Sequence, residues 1–418
     1  MAPEKKLPCD LKLIEETLSR IPPESLVRLR TVSKKWNALF DDKMFINNHK
    51  MAHEEKLPCE LIEETLSRVP PESLVRFRTV SKKWNALFDD KMFINNHKMT
   101  FRFILATNSK FYSVSITPKI EVRELTLDIP GLESHKPKDL IDCNGFLLCG
   151  MDKEAVVWNP WLRQTRLMKL EVNQPSLCFN GIGYEYDNMR LEGSGYKTLV
   201  SYRNELNPTR SVWKIHDFAS NSWKDKELVF SGSSGISLLA SSSVSLNGIL
   251  YWVASFLKNN SSFVLVYFNF SNEKVYKFSD LPCGENHHSD VIVLRIFMED
   301  RFSLLKQCHL TKKIEIWVTK NQIKNCCSGD VEWMNFMEVS TPNLPDLVKP
   351  SYFIDHKNLV VCSCDETGQA WIYVMGDNKL ISKSQIDSVV DPWPLHCTCF
   401  PSLVPVPRSQ TKEAALQV

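Results

Sequence analysis

The stretch from Leu57 to His97 reads LPCELIEETLSRVPPESLVRFRTVSKKWNALFDDKMFINNH. In its first part Leu61, Ile62, Thr65, Leu66 and Val69 fall at i, i+1, i+4, i+5 and i+8, which is one face of a helix. Pro58 suits the first turn, and Glu60, Glu63 and Glu64 are weighted toward the positive end of the helix dipole. Pro70-Pro71 stops this helix, because neither ring can continue the hydrogen-bond ladder. Pro71 can in turn open a second helix, with Leu74, Phe77 and Val80 facing inward. Ser81 reads as the N-cap of a third helix, on which Trp84, Leu87 and Phe88 share a face. Three short helices over some 45 residues lie near the lower size limit for independent folding, so support from a partner is expected.

The same text is written twice. Ile14 to Met51 reappears as Ile62 to Met99, with apolar exchanges only at Ile21/Val69 and Leu29/Phe77. The copies differ at their entry. The first reads LPCDLKLIEETL from Leu7, the second LPCELIEETL from Leu57. Two extra residues turn a helix by about 200° and lengthen it by about 3 Å. Leu7-Pro8 therefore cannot overlie the surface that Leu57-Pro58 covers, which makes the second copy the expected working module. Two copies are too few for a solenoid.

From about residue 101 the text becomes alternating and aromatic-rich. Segments such as NGFLLCG (from Asn144), YKTLVSY (from Tyr196), LNGILYWVA (from Leu246), FSLLKQC (from Phe302) and NLVVCSC (from Asn358) are each followed by a second apolar segment. Those partners are EAVVWNP, VWKIHDF, FVLVYFNF, KIEIWV and AWIYVM. Period-two patterning with bounding Asn, Gly, Asp and Ser argues strands and hairpins. Recurrence at roughly 50 residues is the period of a kelch-like propeller blade. FRFILATNSKFYSVSI (from Phe101) is a candidate earlier blade and CTCFPSLVPV (from Cys397) a candidate closing strand. The expectation is about six blades, with five or seven allowed.

Leu57, Pro58, Leu61, Leu66, Pro70, Leu74, Arg76, Val80, Trp84, Leu87, Phe93 and His97 fall on a pattern that resembles the F-box. The β region resembles the plant F-box-associated interaction domain of type one. There the match runs through CNGFLLCG…VVWNPWLRQTRLM, GIGYEYD and WKIHDFASNSWK, with Asn159-Pro160 and Gln164-Thr165-Arg166 carrying much of it. Asn-Pro after a strand is a turn initiator, so this motif is first a structural signature. The resemblances imply an α+β multidomain chain. Residues 1–50 would be an F-box-like copy with a two-residue insertion in helix one, and 51–98 an intact F-box. Residues 101–405 would form an all-β propeller-like domain, and 406–418 a flexible tail. They further imply a substrate receptor of an SCF-type (Skp–cullin–F-box) ubiquitin ligase. Its Skp adaptor, and cullin through it, would be held by Leu57, Pro58, Leu61, Ile62, Leu66, Val69, Pro70, Leu74, Val80 and Trp84. A client protein of unknown identity would be held by the β domain.

The rest of the chain adds constraints. A formal net charge of +2 over 418 residues gives no case for nucleic acid or membrane as partner. No apolar run reaches the length of a membrane span, and MAPEKKLPCD has no apolar signal core. Thirteen cysteines without small-scaffold spacing suggest reduced thiols inside the cell, with nucleus and cytoplasm both open. Arg76, Arg78, Lys82 and Lys83 form a basic stretch, read as a solvated face or as steering toward an acidic adaptor. Cys362/Cys364, Cys397/Cys399, Cys326-Cys327 and His287-His288 tempt a zinc reading. However, i and i+2 share a face of a strand, so C-x-C fits small core residues, and no metal or cofactor is expected. No nucleophile, metalloprotease or phosphate-loop motif is present, so the chain is expected to be non-catalytic. A non-degradative adaptor-binding protein or inactive paralogue is the alternative, followed by an enzyme on a propeller scaffold. Clients are expected on loops at one end of the β domain, with Asn188–Gly195, Ser231–Ser243 and Gly284–Asp290 as candidates.

Overall fold

The computed structural model describes residues 59–78, 82–116, 119–126, 136–143, 145–151, 154–170, 177–185, 195–203, 211–227, 236–238, 243–256, 259–284, 286–323, 331–340 and 344–407. The first helical copy, and with it Leu7-Pro8, lies outside them. The chain divides into two compact units. The first takes in residues 1–100 with Trp161–Arg163 and Pro401–Val404; the second takes in the remainder.

The second helical copy forms α1 (Cys59–Leu66), α2 (Pro71–Phe77), α3 (Lys82–Asp89) and α4 (Lys91–Asn96). The breakers act where the sequence places them. After Leu66 the chain tightens, with Arg68 and Val69 donating to the carbonyls of Thr65 and Leu66, and Pro71 is the first residue of α2. The fourth helix is not expected from apolar spacing. It starts because the Asp90 side chain accepts from the Met92 N–H at 2.8 Å, a cap that restarts the helix after α3 ends. Ser81, the expected cap of α3, lies outside the described residues.

The second unit is a propeller of six blades, each a four-stranded antiparallel sheet at heart. Blade one contains β1 (Phe103–Ala106), β2 (Phe111–Ser115) and β3 (Glu121–Leu125). Blade two contains β4 (Asp139–Asp142), β5 (Leu147–Gly150), β6 (Glu154–Asn159) and β7 (Gln164–Lys169). Blade three contains β8 (Cys178–Tyr184), β9 (Tyr196–Arg203), β10 (Ser211–Asp217) and β11 (Ser222–Lys226). In blade four, β12 (Ile236–Leu238) and β13 (Val244–Leu246) both pair with β14 (Ile249–Phe256), followed by β15 (Asn259–Asn269) and β16 (Lys274–Asp280). Blade five runs through β17 (Val291–Phe297), β18 (Arg301–Gln307), β19 (Ile314–Thr319) and β20 (Trp333–Val339). Blade six runs through β21 (Val348–Asp355), β22 (Asn358–Cys364), β23 (Ala370–Gly376) and β24 (Lys379–Gln385).

The ring closes on blade one. The last strand, β25 (Leu395–Thr398), lies antiparallel to β1, with Phe103 opposite Thr398 and Ala106 opposite Leu395. The closing strand thus begins two residues before the expected Cys397, and Pro401–Val406 carries no strand. Phe103 and Leu105 of β1 are buried with Val360, Cys362 and Ile372 of blade six, so apolar packing and backbone pairing seal the same seam. Closure removes the unpaired edges that an open sheet would expose.

A hairpin turn and the cysteine pairs complete the description of the ring. Asn247 and Gly248 have φ of 52° and 79° and join β13 to β14 as a two-residue hairpin, the type I′ geometry that Asn-Gly favours. The two C-x-C pairs are core: Cys362, Cys364, Cys397 and Cys399 are all buried.

The loop expectation needs correction. Successive strands are antiparallel, so a link from a blade's first to its second strand leaves the ring at the end opposite a link between blades. The β8–β9 link contains Asn188–Gly195, Gly284–Asp290 lies between blades four and five, and Ser231–Ser243 includes β12 of blade four. The link from β8 to β9 and the link from β16 to β17 therefore leave the ring at opposite ends. Residues 188–194, 231–235 and 239–242 lie outside the described residues.

Candidate adaptor-binding module

The helical module is built on an aromatic ladder. Phe77 of α2 meets Trp84 of α3 at 5.6 Å between centroids, Trp84 meets Phe88 at 6.5 Å, and Phe88 meets Phe93 of α4 at 5.6 Å. Phe93 meets the His97 ring edge-on at 6.2 Å. Leu66, Val69 and Leu74 of the same module are also buried. Tilted rings at these spacings add to the burial of apolar area, and truncating a buried Trp or Phe costs about 3–5 kcal/mol.

His97 locks the module's end to its beginning. It is buried, its Nε2 lies 2.9 Å from the Val69 carbonyl, and the Met99 N–H donates to Nδ1 at 3.1 Å. With Nδ1 accepting, the proton sits on Nε2, which donates to Val69. The Lys98 N–H adds a bond to the Ser67 carbonyl at 3.2 Å. Burial pushes the His97 imidazole down to about 4, and the Val69 bond only partly opposes this.

The expected site residues fall into three groups. Leu66, Val69, Leu74 and Trp84 are buried; they shape the module's surface from beneath. Ile62 is half-buried and Pro70 exposed, so both present atoms outward. Leu57, Pro58 and Val80 lie outside the described residues, as does the side chain of Leu61. The basic stretch also divides. Arg78 bonds Asp89 at 2.7 Å, Asn85 at 3.0 Å and the Phe88 carbonyl at 3.2 Å, which fastens the end of α2 to α3. Arg76, Lys82 and Lys83 are exposed. On α1 the Arg68 hydrogen bond holds the Glu64 carboxyl below its usual range, a surface i,i+4 pair of small energetic weight.

The family F-box model matches the chain twice, over residues 6–48 and 55–96. The family described as F-box associated beta propeller domain matches residues 102–406. The chain belongs to the F-box family. An F-box protein from Arabidopsis thaliana is 84% identical over the whole of both chains. An F-box/kelch-repeat protein from the same plant is 59% identical, again over the whole of both. A further Arabidopsis thaliana F-box protein is 54% identical over full length.

Within this F-box protein the NPWLRQTR signature is structural. The Gln164 Oε1 accepts from the Val406 N–H at 3.1 Å. Arg166 donates to the Pro407 carbonyl at 3.0 Å and the Phe218 carbonyl at 2.8 Å, and its guanidinium lies 5.0 Å from the centre of the Phe218 ring. Strand β7 thus ties the segment after β25 to blade three. Residues 406 and 407, the start of the expected tail, are held; 408–418 lie outside the described residues. No helix among the described residues is long and apolar enough to cross a membrane.

Proposed function

We propose that this F-box protein is the substrate-receptor subunit of an SCF-type ubiquitin ligase. The second F-box would hold the Skp adaptor, and cullin through it, by way of Leu57, Pro58, Leu61, Ile62, Leu66, Val69, Pro70, Leu74, Val80 and Trp84. Among the described members, Ile62 and Pro70 supply surface, while Leu66, Val69, Leu74 and Trp84 hold that surface in shape. The observation that supports this reading is the pairing, in one chain, of an F-box with a closed six-bladed propeller.

The division of labour follows from the two units. A small module whose core is one aromatic ladder gains stability from a partner. A closed ring presents loops at both ends while its strands stay fixed. The protein performs no bond chemistry in this account. Tethering a client raises its effective concentration at the ligase's catalytic subunit, so that a client lysine meets ubiquitin by proximity. Such a role belongs inside the cell, in nucleus, cytoplasm or both.

The test is affinity capture of the full chain from plant cells. Adaptor and cullin should co-purify, and a client should accumulate when the chain is deleted. Adaptor without cullin, and no client that accumulates, would instead favour the non-degradative reading.

A further inference from the structure

The connection between blades four and five carries a cluster that the adaptor reading does not use. Asp290, just before β17, faces the β18–β19 hairpin, which contains Cys308 and His309. One donor atom from each of Asp290, Cys308 and His309 lies within 4.8 Å of the other two. The Asp290 side chain is 4% exposed. It is fixed from several directions: Oδ1 accepts from the His309 N–H at 3.0 Å and pairs with the His309 Nδ1 at 2.8 Å, while Oδ2 accepts from the His287 N–H at 3.0 Å. Lys306 Nζ stands 3.7 Å from Oδ2 and bonds the Cys283 carbonyl at 3.1 Å.

Two more imidazoles crowd the same place. The His287 ring stacks on His309 with centroids 4.1 Å apart, and the His288 ring is 3.9 Å from His287. His287 and His288 are exposed, so rotation of either side chain can bring in a further nitrogen. Three imidazoles thus stand beside a thiol and a carboxylate. Only Cys178 and Cys308 among the described cysteines escape full burial.

We propose that Asp290, Cys308 and His309, with His287 or His288 as fourth ligand, form a binding site for a divalent transition-metal ion of the zinc type. The donor set is mixed nitrogen, sulfur and oxygen, which suits a borderline ion and not calcium or magnesium. Bonds of about 2.0–2.3 Å bring donors around one tetrahedral ion to roughly 4 Å or less, so movements of about 1 Å complete the set. The loop is already shaped for this. The Asp290 N–H bonds the His287 carbonyl at 2.9 Å, which holds the segment that carries the histidine pair against Asp290.

Sequence spacing alone argues against zinc, because His287-His288 and the cysteine pairs lack the usual separation of ligands. The two C-x-C pairs are indeed core, and Cys326-Cys327 lies outside the described residues. The histidine pair meets Cys308-His309 only through the pairing of β17 with β18, where Val291 lies opposite Gln307. The site would pin the link between blades four and five to the β18–β19 hairpin. That link contains the Gly284–Asp290 client loop, but the inference does not depend on the adaptor or client reading.

The test is titration of the purified full chain with Co²⁺, followed by displacement with Zn²⁺. One equivalent should give a thiolate-to-cobalt absorption band. Cys308→Ser should abolish that band, and His309→Gln should weaken binding at least tenfold. The double variant His287→Ala/His288→Ala alters exposed residues only and should also weaken binding. Absence of a stoichiometric band in the parent chain, or a band that survives Cys308→Ser, would overturn the proposal.

Discussion

His97 and Val69 are 28 residues apart in the chain, and one hydrogen bond of 2.9 Å joins the imidazole Nε2 of the first to the carbonyl of the second. Val69 sits in the turn that Pro70-Pro71 forces between α1 and α2. The bond therefore ties the corner of the module to the residue that follows its last helix. The Phe77–Trp84–Phe88–Phe93–His97 ladder delivers the ring to this place.

Acid should loosen the module through this bond. The folded-state pKa of His97 is lowered to about 4 from an ordinary 6.5. The neutral form is the folded form, so its contribution is complete above pH 6.5 and is lost as pH falls through 4. Each unit of pH within that window removes up to about 1.4 kcal/mol. Burial also lowers His216 and His396 of the propeller to about 4, so that unit should weaken over the same range. Hydrogen exchange of amides 59–97 at pH 6.5 and pH 5 measures the effect. His97→Gln keeps a donor for Val69 but does not titrate, and its exchange should depend less on pH.

Removing the closing strand should open the ring. A chain ending at Asp391 lacks β25, and the backbone of β1 from Phe103 to Ala106 then loses its partner on that side while keeping β2 on the other. Buried Phe103 and Leu105 would lie beside an unpaired edge. Aggregation on size-exclusion chromatography is the expected result. A monomeric fragment that unfolds in one cooperative step would show that β25 is dispensable.

Arg166→Ala should destabilise the propeller by about 2–3 kcal/mol, the scale for hydrogen bonds made by a charged donor. It releases the Pro407 and Phe218 carbonyls together and removes the guanidinium from the Phe218 ring. Urea midpoints of the full chain check this. Arg166→Lys should recover only part of the loss, since an ammonium cannot reproduce the guanidinium's spread of donors.

The inner strands of the propeller are legible in the amino-acid text. Strands β5, β6, β18 and β22 are buried on both faces and so read as apolar runs, while β10 and β19 alternate and read by their period of two. The fourth strands escape such a reading for the opposite reason: β24, LISKSQ after Lys379, is mostly exposed and reads as polar loop. The first strands are mixed: β4 has only four residues, whereas β17, VIVLRIF, is itself an apolar run. Blade four divides that position between β12 and β13. Helix α4 is hidden because its start depends on one capping side chain, Asp90, and not on apolar period. Arg78 reads as part of a basic surface, yet its partners Asn85 and Asp89 lie on the next helix. Asp290, Cys308 and His309 carry no local signal, since only strand pairing brings them together.

Adaptor binding by the second F-box is the central claim, and its unbroken LPCELIEETL entry motivates the most direct measurement. The full chain, Leu57→Ala/Pro58→Ala and Leu7→Ala/Pro8→Ala are compared for the dissociation constant with a purified Skp-family adaptor. The account predicts a loss of about thirtyfold or more for the change at Leu57 and Pro58, since one interface anchor can carry about 2 kcal/mol. It predicts much less for the change at Leu7 and Pro8. Equal losses from both pairs, or no loss from Leu57 and Pro58, would contradict it.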